Sequence, residues 1–197
     1  MSGFAKRTER KKQDIKRATL EMLKDTDPKN IKISDIAKKA NVSQVTIYNH
    51  FHSKEQLIRE VIIEYLIEQV EQREQFLKAD RPFQEKVEYI IFEKKRAIRQ
   101  IRVDLFQNLM KEDEQIRNVV ESLYQTRLIP LFIEMVKEAQ QKREIAPNIS
   151  IDTLLFYLKI WREMGDRLHP SLYDERFTEE LARLFFYGVK GADCHEC

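Results

Sequence analysis

Residues 33–57 read ISDIAKKANVSQVTIYNHFHSKEQL, and this stretch decides the fold. Ile33, Ile36, Ala37 and Ala40 recur at helical spacing on a short segment. Asn41-Val42-Ser43 interrupts it. Ser43 suits the N-cap of a further helix over about 44–50, because its hydroxyl can accept from a free backbone N–H. Asn41 stands at the turn between the two, where positive φ is often required and Asn tolerates it better than most residues. Ala37 is small where the helices approach. Ala40, Val42 and Ile47 are apolar where they pin one helix to the other. Ser53 with Gln56 three residues on makes a capping box for a helix running to about Lys78. The spacing therefore predicts helix, tight turn, helix. The outer face of the second member carries Gln44, Val45, Thr46 and Asn49. Such side chains can read bases in a major groove: Gln can bridge adenine N6 and N7, and Val or Thr methyls can touch the thymine methyl. On spacing alone, an ordinary amphipathic helix pair remains the competing reading.

Outward from this stretch the period stays helical. Ile15, Ala18, Thr19 and Met22 mark a first helix over about 8–25. Pro82 opens a fifth, a short sixth covers about 103–111, and a long seventh runs from Ile116 to Val136 with a kink expected at Pro130. Ser150 caps an eighth helix to about Leu168, and a last one covers 174–190. No strand is predicted. The fold class is all-α: an N-terminal three-helix domain over 1–52, and a helical bundle over 53–197 in which helix 53–78 connects the two.

Composition removes other classes. The chain has 197 residues, 42% hydrophobic and 35% charged, with no apolar run of membrane-spanning length. No glycine lies between Phe4 and Met164, so a glycine-rich phosphate loop early in a strand-turn-helix unit is excluded. The cysteines, Cys194 and Cys197, are confined to the tail. A reducing cytoplasm is expected and no disulfide framework. Cys194, His195 and Cys197 supply at most three metal ligands on a poorly preorganised tail, so no metal and no cofactor are expected. The histidines lie at 50, 52, 169 and 195, and no nucleophile–base–orienter set is legible; the protein is not expected to be an enzyme. Charge is uneven. Residues 1–60 carry +6 and residues 61–197 carry −4. Lys6, Arg7, Arg10, Lys11 and Lys12 suit a polyanion, or else form a solvated start.

The stretch quoted above resembles the DNA-binding signature of TetR-family transcriptional regulators, through Ile36-Ala37, Val42-Ser43, Thr46-Ile47-Tyr48, Phe51 and Ser53-Lys54-Glu55-x-Leu57. The resemblance covers about the first third of the chain. Asn41 replaces the family's usual Gly, and Pro28 and Lys32 stand where an aromatic and a Thr cap are common. It implies a homodimeric repressor on a palindromic double-stranded DNA operator. Gln44 and Val45 would read bases. Thr46, Tyr48, His50 and Lys54 would hold phosphates, and Asn49 would do either. Tyr48 and His50 have packing as a competing role, and Ile47 and Phe51 belong to the core. The basic segment from Lys6 to Lys12 would add phosphate or minor-groove contacts. Helices near 151–168 and 174–190 would form the dimer interface, because Leu154, Leu155, Phe156, Tyr157, Leu158, Ile160, Trp161 and Met164 make the first of them apolar nearly all round; a thick monomeric core is the alternative. A small-molecule effector would lie among Tyr89, Phe92, Phe106, Met110, Tyr124 and Trp161, which have plain core as the competing reading. Arg99, Arg102 and Arg162 have acids as neighbours, so the effector's charge stays open. Control by a protein partner, or a helical interaction module without DNA, are the alternative functions.

Overall fold

The computed structural model describes residues 3–90 and 103–167, together with 176, 180, 183–185, 187 and 188. The helices are α1 (Gly3–Leu23), α2 (Ile33–Lys39), α3 (Gln44–Phe51), α4 (Lys54–Lys78), α5 (83–90), α6 (Val103–Glu112), α7 (Glu114–Leu123), α8 (Ile129–Gln141) and α9 (Ile151–Arg167). No strand occurs among the described residues. No helix among them is long and apolar enough to cross a membrane.

Two compact units divide the chain. The first takes Met1–Glu71 and Ala97–Tyr124, the second Gln72–Arg96 and Gln125–Cys197. The division does not fall at residue 52. Ile116 on α7 is buried in the same cluster as Ile15, Ile36, Ile47, Phe51 and Leu57, with Phe106, Leu109 and Met110 of α6 packed against it. The helix-turn-helix core is thus completed by residues more than fifty positions downstream.

α1 begins at Gly3, before the expected start near residue 8. No breaker separates Phe4 from Leu23, and Ala, Lys, Arg, Glu and Gln all propagate a helix well. Its Ile15, Ala18 and Leu23 are buried, and the Thr19 hydroxyl, also buried, donates to the Ile15 carbonyl at 2.9 Å. Lys16 ties α1 to Glu64 of α4 at 3.0 Å.

The α6–α7 corner is fastened by one carboxylate. Asp113 caps α7 by accepting from the Gln115 and Ile116 N–H groups at 2.9 and 3.1 Å. It also accepts from Arg59 Nε of α4 at 2.7 Å. Burial alone would push the Asp113 carboxyl up, but Arg59 and the two N–H groups outweigh it and hold it below the ordinary value. The stabilisation is therefore present above the unfolded pKa, about 3.9, and is lost as pH falls through the lower folded value. Asp113→Ala should cost about 2 kcal/mol at pH 7 by urea denaturation. The gap to the parent protein should close on titration below about pH 4. A gap that persisted there would mean the carboxylate charge is not its source.

The second unit has its own core of Leu77, Phe83, Val87, Leu131, Phe132, Met135, Val136, Ala139, Ile145, Leu154 and Phe185. The Phe83 N–H at the start of α5 donates to the Glu144 carboxylate. The buried Lys86 donates to Glu138 at 3.2 Å, and Lys142 bridges Glu138 and Asp80 at 2.7 and 3.1 Å. Lys142, then Lys86, hold the Glu138 carboxyl below its ordinary value. Ser150 caps α9 through Thr153 N–H at 3.1 Å, as expected.

The expected seventh helix is α7 and α8 joined by a π turn over Tyr124–Leu128. Pro130 lacks an N–H and its ring crowds the carbonyl four residues back. The wider turn just before it is how the helix accommodates both. Arg127, within that turn, makes two 2.8 Å bonds to the Glu74 carboxylate, which lowers the Glu74 pKa.

Candidate nucleic-acid interface

The turn from Asp27 to Lys32 frames one edge of the site. Asp27 Oδ1 accepts from Lys29 N–H at 2.8 Å, and its carbonyl from Asn30 N–H at 2.9 Å. Asp followed by Pro favours this turn, since Pro presets φ and Asp bonds the backbone two residues on. Ile31 then buries its side chain in the first core.

The α2–α3 turn closes as the sequence predicts. Asn41 takes φ 53°, and Val42 N–H reaches back to the Ala37 carbonyl at 3.0 Å. This satisfies the last carbonyls of α2. Ser43 Oγ accepts from Thr46 N–H at 3.1 Å and caps α3. α3 is eight residues long and is anchored by Ile47 and Phe51, one turn apart and both buried. With that row inward, Gln44, Val45, Tyr48 and Asn49 face water. Val45 is 66% exposed and Tyr48 48%. Tyr48 is therefore not a core aromatic. Thr46 is half-buried, its hydroxyl 2.8 Å from Ser43 Oγ. His50 is half-buried, edge-on to Phe51 with ring centroids 6.2 Å apart.

His52 ends α3 at φ 60°, ψ −40°. For a residue with a Cβ this is a costly conformation, of order 1–3 kcal/mol. It brings the chain round to α4 at once. Ser53 Oγ accepts from Gln56 N–H at 3.0 Å, so half of the expected capping box forms. The return bond does not. Ser53 N–H is taken by the Phe51 carbonyl at 2.6 Å, and the Gln56 amide turns to Glu60.

These elements enclose an open groove of about 530 Å³. Gln44, Tyr48 and Lys54 line it together, with Lys29, Lys32, Ser34, His52 and Ser53. Val45, Thr46, Asn49 and His50 lie on α3 outside its lining. Lys54 Nζ donates to the Pro28, Ile31 and Lys29 carbonyls at 3.0, 3.1 and 3.5 Å. Glu112 bonds Lys29 at 3.1 Å, and that bond holds the Lys29 pKa above its ordinary value. Lys29, Ser34 and His52 were not singled out by the sequence. The signal for Lys29 and Lys32 was there: two lysines within four residues after an Asp-Pro pair. On α1, Lys6, Arg7, Arg10 and Lys11 are exposed and Lys12 is half-buried, on a helix rather than a loose arm.

The residues expected around an effector divide between the units. Phe106 and Met110 pack against the first core, and Tyr124 starts the π turn. Tyr89 stacks on Phe76 in the second unit, ring centroids 3.8 Å apart, with Arg81 over the Phe76 ring. Trp161 is in α9, but its side chain, like that of Arg162, lies outside the described residues. Phe92, Arg99, Arg102 and the Cys194–Cys197 tail also lie outside them.

The family described as "Bacterial regulatory proteins, tetR family" matches residues 15–61. That span runs from the buried Ile15 to Val61 on α4 and contains the whole helix-turn-helix. No curated protein matches the chain. Among solved structures, the TetR transcription regulatory protein from Mycobacterium vanbaalenii is similar at TM-score 0.62 and 14% identity, over 94% of this chain and 98% of that one. The fatty acid degradation regulator FadR from Bacillus halodurans is similar at TM-score 0.62 and 18% identity, over 92% and 97%. FadR from Bacillus subtilis, solved in complex with stearoyl-CoA, is similar at TM-score 0.56 and 17% identity, over 90% and 98%. At these identities the likeness shows the fold. Residues 15–61 thus match the tetR family's helix-turn-helix region, and the chain as a whole shares its fold with solved TetR-family regulators.

Proposed function

We propose that the protein is a ligand-responsive repressor that binds a palindromic operator as a homodimer in the cytoplasm. The observation that carries the DNA reading is the outer face of α3. Gln44, Val45, Tyr48 and Asn49 are exposed side by side on a helix whose other face is fixed in a core. A solvent-exposed valine has no folding role there, and a thymine methyl is a natural partner. Gln44 and Val45 read bases, Asn49 reads bases or holds phosphate, and Thr46, Tyr48 and His50 hold phosphates. The basic face of α1 adds backbone contacts.

The effector is a small molecule taken by the helical region after α4. FadR from B. subtilis, similar in fold, was solved in complex with stearoyl-CoA, and that likeness supports a small-molecule effector here. Binding favours a state in which the two recognition helices no longer match successive major grooves about 34–36 Å apart.

Titration of the protein on an operator selected from random duplex DNA tests this. Gln44→Ala should relax preference at one base position by about 1–3 kcal/mol, while Tyr48→Phe weakens all sequences alike. Uniform loss for Gln44→Ala would remove it from the base readers. Binding that ignored salt would overturn the DNA reading itself.

A further inference from the structure

We propose that Lys54 is a positioning residue, and that the phosphate ligands at this edge of the groove are Lys29 and Lys32, on the turn Lys54 holds. The inference rests on the DNA-binding reading and concerns which cations serve it.

An ammonium has three N–H donors and no acceptor. Those of Lys54 have three acceptors, the carbonyls of Pro28, Ile31 and Lys29. All three belong to the turn before α2. To reach a phosphate, Lys54 would have to abandon them. It would take its donor from the part-buried Ile31 carbonyl and leave the Pro28 carbonyl only the 3.3 Å bond from Ile31 N–H. The exchange gives one charge-assisted contact and loses three bonds, so the ammonium stays where it is.

Lys29 and Lys32 are differently placed. Both line the groove and both are exposed. Lys32 occupies the N-cap position of α2, where a short polar side chain would cap, and it makes no cap bond. The sequence has given up a cap for a cation that points into water. Lys29 has Glu112 as partner, with 75% and 59% of the two side chains exposed. An ion pair so exposed is worth little and exchanges readily for a phosphate. Glu55 is the acid lining the groove against Lys29, Lys32 and Lys54. The turn carrying these two exposed lysines has its geometry set by Asp27 from one side and Lys54 from the other.

The test is the salt dependence of operator affinity between 50 and 200 mM for the full-length protein. Lys29→Ala/Lys32→Ala should lower the slope of log K against log salt by about 1 per lysine in each half-site. Lys54→Met alone should reproduce much of that loss, because the turn is no longer held. Adding Lys54→Met to the double variant should change affinity less than about twofold and leave the slope where it was. If the triple variant loses a further tenfold and the slope falls by about 1 more, Lys54 is itself a phosphate ligand and the proposal is overturned. A double variant with an unchanged slope overturns it as well, and needs no Lys54 variant to fold. Faster hydrogen exchange at the Asn30 and Ile31 amides in Lys54→Met is the expected sign of a released turn. A wild-type protein without steep salt dependence would instead sink the DNA reading.

Discussion

Phe51→Ala is expected to cost about 3–5 kcal/mol of stability. The side chain is 1% exposed and shares a core with Ile36, Ile47, Leu57 and Ile116. Truncation removes apolar burial and leaves a cavity among helices from both ends of the first unit's sequence. The cost is large against the 5–15 kcal/mol that holds a typical domain together. It also falls on function. Eight residues do not make a stable helix alone, so α3 persists only because Ile47 and Phe51 pin it. In urea, the variant should lose protection of the α2–α3 amides first, with DNA affinity falling in parallel. Val45→Ala makes the contrast. At 66% exposure it should shift stability by less than about 0.5 kcal/mol while weakening the operator complex. A loss below 1 kcal/mol for Phe51→Ala would mean that α3 is held by something else.

The same residues explain why this region was legible in the sequence. Its rules are local. Ser43 caps within three residues, Asn41 turns the chain within two, and Ile47 and Phe51 are one turn apart. Each signal fits inside a short window, and all of them agree. What was not legible came from partners far along the chain. Nothing near Asp113 announces Arg59, and nothing near Ile116 announces a place beside Ile15. The boundary at residue 52 followed the end of the motif, whereas the core continued into α6 and α7. Local signals also failed where two partners compete for one group. Ser53 and Gln56 have the spacing of a capping box, but the tight bend at His52 delivers the Ser53 N–H to Phe51 first. The place of Lys54 in the motif suggests a phosphate; the three carbonyls around its ammonium come from a turn over twenty residues earlier and no short window shows them.

The largest effect is expected from charges on the apolar face of α9 and the segment after it. Leu154 and Phe185 are buried in the second unit, and Tyr157 packs near Phe185 at 5.4 Å between ring centroids. Among the described residues, the other side of this group is exposed. Phe156, Leu184 and Tyr187 are 64%, 67% and 70% exposed, and Ile160 is exposed with them. Single exposed apolar residues are ordinary, but a group on neighbouring elements fits the dimer face proposed for this protein. In the proposed homodimer a second copy would meet the same residues through a two-fold axis, so each substitution would act twice. Phe156→Glu/Leu184→Glu should therefore give a folded monomer at 10 μM by sedimentation, since neither side chain supports the protomer's own core. Affinity for the palindromic operator should fall by about 100-fold or more, because two linked half-site contacts become one. Affinity for an isolated half-site should hardly change, as α3 lies in the other unit. A variant that remained dimeric would place the interface elsewhere. A monomer that bound the full operator as tightly as the parent would show that dimerisation through this face contributes nothing to DNA recognition.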